Sequence, residues 1–350
     1  MFPPGPLRFV PWPRRAFVGN ARKRNARRLA ATTVASGILA AGALALTTSA
    51  ASASTLSAQG HGTAYSFATH DNAKDLTFNQ LLGINDQGVI AGYFGSGAQG
   101  HPNKGYLLLP YGQGNYINEN FPGSVQTQVT GLNNRGVTVG FWSSMNNANM
   151  VNDNFGFVDV NGRFRTADFP TGSPATPPVD QLLGVNDSDV AVGFHTDANG
   201  NNHGYEYNIW SNRFSSVVDP NLPAASLTAA AINDEGDVAG FYTNSAGTTD
   251  GFLKTHHGHF IDLAVPGAAS TMALGVNGSD EVVGVYTVGS GSTAVMHGFT
   301  WTPRHGFSTV DDPHGAGTTT INGVNDRGQL AGFYADGNGN TDGFVATPQH

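Results

Sequence analysis

Short apolar runs of five to seven residues alternate with polar, glycine-rich stretches from residue 63 to the end of the chain. In the first unit, Gln80-Leu81-Leu82-Gly83-Ile84-Asn85 is one run and Val89-Ile90-Ala91-Gly92-Tyr93-Phe94 is the next. Asp86-Gln87-Gly88 between them is turn chemistry, because Asn and Asp tolerate the left-handed backbone that Gly prefers. After a polar stretch, Gly105-Tyr106-Leu107-Leu108-Leu109 and the segment from Tyr116 to Pro122 complete four runs. Four such runs joined by turns predict a four-stranded antiparallel sheet, and almost no segment in this region holds helical periodicity over ten residues.

The unit recurs. Its signature starts at Gly83, Gly131, Gly184, Ala231, Gly275 and Gly323, which are 48, 53, 47, 44 and 48 residues apart. A period of this length is the mark of a repeat architecture. Each second strand carries a glycine (Gly92, Gly140, Gly193, Gly240, Gly284, Gly332), which predicts close approach of another backbone. Each third strand opens with Gly followed by Tyr or Phe. Five fourth strands open with an aromatic and end at a proline six residues later, as in Phe164/Pro170. The sixth copy stops after its third strand, and Tyr65-Ser66-Phe67-Ala68-Thr69-His70-Asp71 supplies the missing piece from the other end. The expected fold is therefore all-β: a six-bladed β-propeller of four-stranded antiparallel blades, the last closed by the N-terminal strand. An open β-solenoid is the rival, but it gives no reason for the displaced strand.

In the segment G-[IVL]-N-[DN]-x-G-x-[IVL]-x-G-[YF], and in His203-Gly204-Tyr205 and His297-Gly298-Phe299, the chain resembles the HAF family of bacterial extracellular repeat proteins. The resemblance covers roughly residues 63–348. It implies a secreted, propeller-type protein and carries over no catalytic residue. Asp189 and Asp280 depart from it by replacing the turn glycine.

Residues 1–53 read as a signal peptide: eight arginines and lysines, an Ala/Leu-rich stretch from Leu29 to Leu46, then Ala51-Ser52-Ala53. Arg14-Arg15 fits a twin-arginine route, and the general secretion route fits equally. Residues 54–62 read as a flexible mature N-terminus and 63–350 as one domain. The leader holds eight of the 17 basic residues and none of the 25 acidic ones, which leaves nine against 25, a net −16. That argues against nucleic acid and anionic membrane as partners. With no cysteine in the chain, the core alone must hold the fold. A secreted monomer is expected.

Residues shared by all copies serve the fold, so a site is expected where copies differ, on the face carrying the variable loops between second and third strands. Two of those loops alternate oxygen side chains: Asp336, Asn338, Asn340 and Asp342, and Asp197, Asn199 and Asn201. They read first as ordinary hairpins; as a metal site they would take Ca²⁺. No other cofactor is indicated. Trp142, His195, Tyr242, Tyr286 and Tyr334 end their second strands with a ring, suited either to packing or to stacking on a sugar. Asn85, Asn133, Asn186, Asn233, Asn277 and Asn325 read as turn caps, and His256-His257-Gly258-His259 as a solvated turn. The first strands, taken as Gln80–Asn85 and its equivalents, hold no charged residue or His, which leans against an enzyme. The expected function is a secreted binding module for an extracellular glycan or protein. The alternatives are a polysaccharide hydrolase or lyase using carboxylates such as Asp168, Asp219, Asp311 and Asp336, and a structural matrix or coat protein.

Overall fold

The computed structural model describes residues 63–110, 115–146, 152–222 and 225–349. The expected signal peptide and residues 54–62 lie outside these. Among the described residues the fold is all-β apart from one short 3-10 turn, Gly291–Thr293, and no helix is long and apolar enough to cross a membrane.

The strands fall into six antiparallel sets of four. First strands are Asn79–Ile84, Gln126–Leu132, Asp180–Val185, Ser226–Ile232, Ser270–Val276 and Thr320–Val324. Second strands are Ile90–Phe94, Val137–Ser143, Val190–Thr196, Val238–Thr243, Val282–Val288 and Leu330–Ala335. Third strands are Lys104–Leu108, Phe155–Val160, Asn202–Asn208, Thr249–Lys254, Val295–Thr302 and Thr341–Pro348. Fourth strands are Tyr116–Asn118, Arg163–Thr166, Arg213–Ser216, Phe260–Leu263 and Gly306–Thr309, and the sixth is Tyr65–Thr69. That N-terminal strand pairs antiparallel with Thr341–Pro348, from Tyr65↔Pro348 to Thr69↔Phe344. A single parallel pair, Thr249↔Ser270, joins the fourth and fifth sets into one sheet.

The glycines explain how closely the strands approach. A Cβ on second-strand Gly193 would lie 2.0 Å from the Gln181 carbonyl of its own first strand, so only Gly fits there. A Cβ on Gly131 of one first strand would lie 2.7 Å from Leu183 O and 3.0 Å from Gly184 Cα of the next, so adjacent first strands touch backbone to backbone.

Core clusters straddle neighbouring sets. Val139 and Val158 of the second set pack with Leu182 and Tyr205 of the third. Leu81, Ile84 and Tyr106 of the first set pack with Ala331 and Val345 of the last. Apolar burial therefore binds set to set, as it must where a lone four-stranded sheet cannot bury both its faces.

Candidate functional site

Each recurring asparagine does two jobs. Asn85 Oδ1 accepts the backbone N–H of Gln87 and Val89 at 3.1 and 2.9 Å, capping its own turn. Its Nδ2 donates to the Asn133 carbonyl of the next copy at 3.1 Å. Asn133 donates to Asn186, Asn186 to Asn233, Asn233 to Asn277 and Asn277 to Asn325, at 2.9 to 3.1 Å. Asn325 donates to Asn85 at 3.0 Å. The cap was readable in the sequence; the donation to the next copy was not, because it depends on how adjacent turns sit side by side.

The following residue builds a second series. Asp86 N–H donates to Asn134 Oδ1, Asn134 N–H to Asp187 Oδ1 and Asp187 N–H to Asp234 Oδ1. Gly278 N–H donates to Asp326 Oδ1 and Asp326 N–H to Asp86 Oδ1. The series breaks once, where Gly278 has no side chain to accept from Asp234. All six copies line one polar cavity of about 130 Å³, with Ile84, Leu132 and Val185 among its apolar walls and Asp86, Asp187 and Asp326 among its carboxylates. Burial, then the charges of Asp187, Asp326 and Glu235, raise the Asp234 carboxyl against the opposing N–H of Asp187. The field there is negative and favours hydrogen-bond donors over anions. A second cavity, about 270 Å³, lies between residues of the first and last copies, including His70, Ile84, Leu108, Arg327 and Val345.

Trp142, Tyr242, Tyr286 and Tyr334 each reach the fourth strand of their own set, and Trp142 and His195 stack on a phenylalanine of the preceding crossing. Trp142 stacks on Phe121 at 4.6 Å and donates Nε1 to Thr166 Oγ1. His195 stacks on Phe169 at 4.6 Å and on His203 at 5.1 Å. Burial, then the His203 charge, lower His195 to about 4, with Asp197 opposing. The Tyr242 hydroxyl donates to Asp262, Tyr286 hydrogen-bonds Thr309 and Tyr334 hydrogen-bonds Thr69.

In the loops, Asp336 Oδ1 accepts the N–H of Asn338 and Asn340 at 2.8 Å each, and Oδ2 accepts their side-chain amides. Burial raises Asp336, but these four donors outweigh it and leave it lowered. Asp197 Oδ1 likewise accepts from Asn199 and Asn201, and Oδ2 lies 3.1 Å from His203 Nε2. Burial acts upward on Asp197, yet His203 and the two N–H donors hold it at about 2. Asp342 is raised by burial and then by the Asp336 charge. Among the described residues no group of three His, Cys, Asp or Glu side chains has metal-holding geometry.

The carboxylates named for catalysis are held separately. Asp168 Oδ1 accepts Gly156 N–H, Asp311 Oδ1 accepts Gly298 N–H, and Asp219 Oδ1 accepts Asn221 N–H. The sequence reading missed Asp180. It begins the third copy's first strand one residue before the run taken from the sequence, so one first strand does carry a carboxylate. Its oxygens accept the Tyr205 hydroxyl and the Phe169 N–H, and burial raises it to about 7 despite those donors. Glu119 is similarly buried between the first and second sets, bonded by the Thr138 hydroxyl at 2.7 Å; burial raises it, and so does the neighbouring Asp159.

No family model and no curated protein matches the chain. Among solved structures it is similar to virginiamycin B lyase from Staphylococcus aureus, at 11% identity over 80% of this chain and 88% of that one, TM-score 0.42. A protein described as a putative gluconolactonase is similar at 11% identity over 81% and 92% of the two chains, TM-score 0.46. An ulvan lyase is similar at 12% identity over 72% and 75%, TM-score 0.38.

Proposed function

We propose that the chain is a closed six-bladed β-propeller, secreted by its N-terminal leader, that acts as a binding module for an extracellular glycan or protein. The amide series carries the architectural half: six donors pass from copy to copy and the last, Asn325, reaches Asn85. The pairing of Tyr65–Thr69 with the last third strand and the cluster shared by Leu81 and Ala331 support the same closure. A radially closed sheet array leaves few strand edges exposed and gives a stiff frame for surface recognition.

Binding is favoured over catalysis by how the carboxylates are used. Asp168 and Asp311 each accept a backbone N–H within their own copy and Asp180 accepts one from the second copy, so these carboxylates are tied into the frame, although the Asp168 charge reaches Asp180 and His297 pairs with Asp311 at 2.7 Å. The resemblance to the HAF repeats and the leader support the extracellular setting, and the mature chain's net −16 disfavours polyanions.

A glycan array probed with the mature chain, with and without calcium, beside a turnover assay on a polysaccharide panel, tests the reading. Saturable binding without turnover is expected. Turnover would replace it with a hydrolase or lyase, and neither binding nor turnover would favour a matrix or coat protein.

A further inference from the structure

We infer that Trp210 is the floor of a sugar subsite, built with Arg135 and Asp189, that takes one ring of an uncharged hexopyranose glycan. The inference rests on the binding-module reading and narrows it to one cluster of side chains, on the side of the asparagine turns rather than the side of the long loops.

Trp210 lies in the turn between Asn202–Asn208 and Arg213–Ser216, and is 67% exposed. An indole left in water forgoes about 2–3 kcal/mol of burial. This one is nevertheless pinned. Its Nε1 donates to Asp189 Oδ2, the oxygen that also accepts Arg135 Nη2 from the preceding copy. Asp189 Oδ1 accepts Asn133 Nδ2 at 3.1 Å, and the Asp189 side chain is 1% exposed. The turn beneath is fixed as well: Asn208 Oδ1 accepts the N–H and the hydroxyl of Ser211.

Asp189 is one of the two positions where the repeat departs from glycine, and it holds φ at +57°. Four copies have Gly there. A β-carbon at that conformation costs about 1 kcal/mol, and three charge-assisted or polar bonds to its carboxylate offset the cost. The departure from the shared pattern is therefore what orients the tryptophan.

The chemistry selects the ligand. With Nε1 engaged, the indole offers only its π faces, and these attract the slightly positive C–H face of a pyranose. A pinned ring loses little entropy on binding. Arg135 uses one nitrogen on Asp189 and another on the Asp187 carbonyl, and a guanidinium has five N–H groups, so donors remain for vicinal hydroxyls. Asn133, Asn186 and Asp187 connect this cluster to the acidic cavity, whose negative field rejects uronate and sulfate groups.

The test titrates the mature chain with hexasaccharides of β-1,4-glucose, α-1,4-glucose, β-1,4-mannose and β-1,4-galactose, and with polygalacturonate, by calorimetry and tryptophan emission. At least one neutral hexasaccharide is expected to bind. Trp210→Ala should weaken it about tenfold or more in protein that stays folded, its melting temperature lowered only by the lost bond to Asp189, and Trp210→Tyr should restore most of the affinity. Trp142→Ala should leave the affinity unchanged. Loss in Trp142→Ala but not in Trp210→Ala would overturn the subsite and leave the binding module standing. Binding of polygalacturonate alone would overturn it too, as would binding of no glycan, which would leave the module only a protein ligand.

Discussion

Asn325 donates its side-chain Nδ2 to the main-chain oxygen of Asn85, 240 positions earlier, at 3.0 Å. The Asn325 Oδ1 simultaneously accepts the N–H of Arg327 and Gln329. Removing a buried side chain that makes three such bonds strands its partners, so Asn325→Ala is expected to cost about 2–4 kcal/mol. Asn186→Ala, which breaks the same bonds between the third and fourth copies, should cost a similar amount. Urea denaturation of both variants checks this. A full cost for Asn186 with none for Asn325 would mean that the last-to-first bond does not form.

Gly278 interrupts the second series. Asn at that position would offer an acceptor to Asp234 and remove unfolded-state freedom, and the backbone there is not in the left-handed region. The new Cβ would sit 3.1 Å from Asp326 Oδ1, a side-chain atom able to shift slightly. Gly278→Asn should therefore stabilise by about 0.5–1 kcal/mol in urea melts. Destabilisation would show that the gap is required.

Two buried carboxyls, with Asp71 and Asp168 each raised by burial to about 6, pull stability down as pH rises, while His195, lowered to about 4, pulls it up as its unfolded-state proton is lost. Burial raises Asp180 from 3.8 to about 7, and burial followed by Asp159 raises Glu119. Both bind their proton more tightly in the folded state than in the unfolded one. Their contribution is thus fully present below pH 4 and is lost as pH rises through about 7. Asp180→Asn or Glu119→Gln should therefore remove part of the fall, leaving a profile that declines less, or rises more, than that of the parent over this range. Melting temperatures from pH 4 to 8 measure it; unchanged slopes in both variants would contradict the assignment.

Calcium gives a separate test of the acidic loops. The oxygens of Asp336 already accept four donors from their own hairpin, and those of Asp197 accept two N–H groups beside His203. A ligand that binds only the native state must raise its stability. Millimolar CaCl₂ is expected to move the melting temperature by less than about 1 °C relative to EDTA. A rise of several degrees, abolished by Asp336→Ala, would establish a calcium site instead.

Much of the fold was legible in the sequence. Asn-Asp-x-Gly turns and the Gly-aromatic openings mark strand ends through local backbone preference, which needs no tertiary information. The partner of Tyr65–Thr69 could be named because one strand was missing at the far end of the chain. What escaped was set by neighbours remote in sequence. Asp180 looks like part of a crossing until its strand pairing with His195 is seen. Glu119 and Asp159 meet only because adjacent sheets pack together. The exposed indole of Trp210 looks like any turn residue until Asp189 and Arg135 are placed beside it.

The most direct test of the closed ring uses the absence of cysteine from the chain. Ser66 and Thr347 are Cα partners on the N-terminal strand and the last third strand, and both are exposed. In Ser66→Cys/Thr347→Cys the account predicts a quantitative disulfide under mild oxidation, no free thiol, and a gain of about 2–4 kcal/mol from cross-linking so long a loop. Two free thiols in the folded, oxidised protein, with stability equal to the parent, would contradict it.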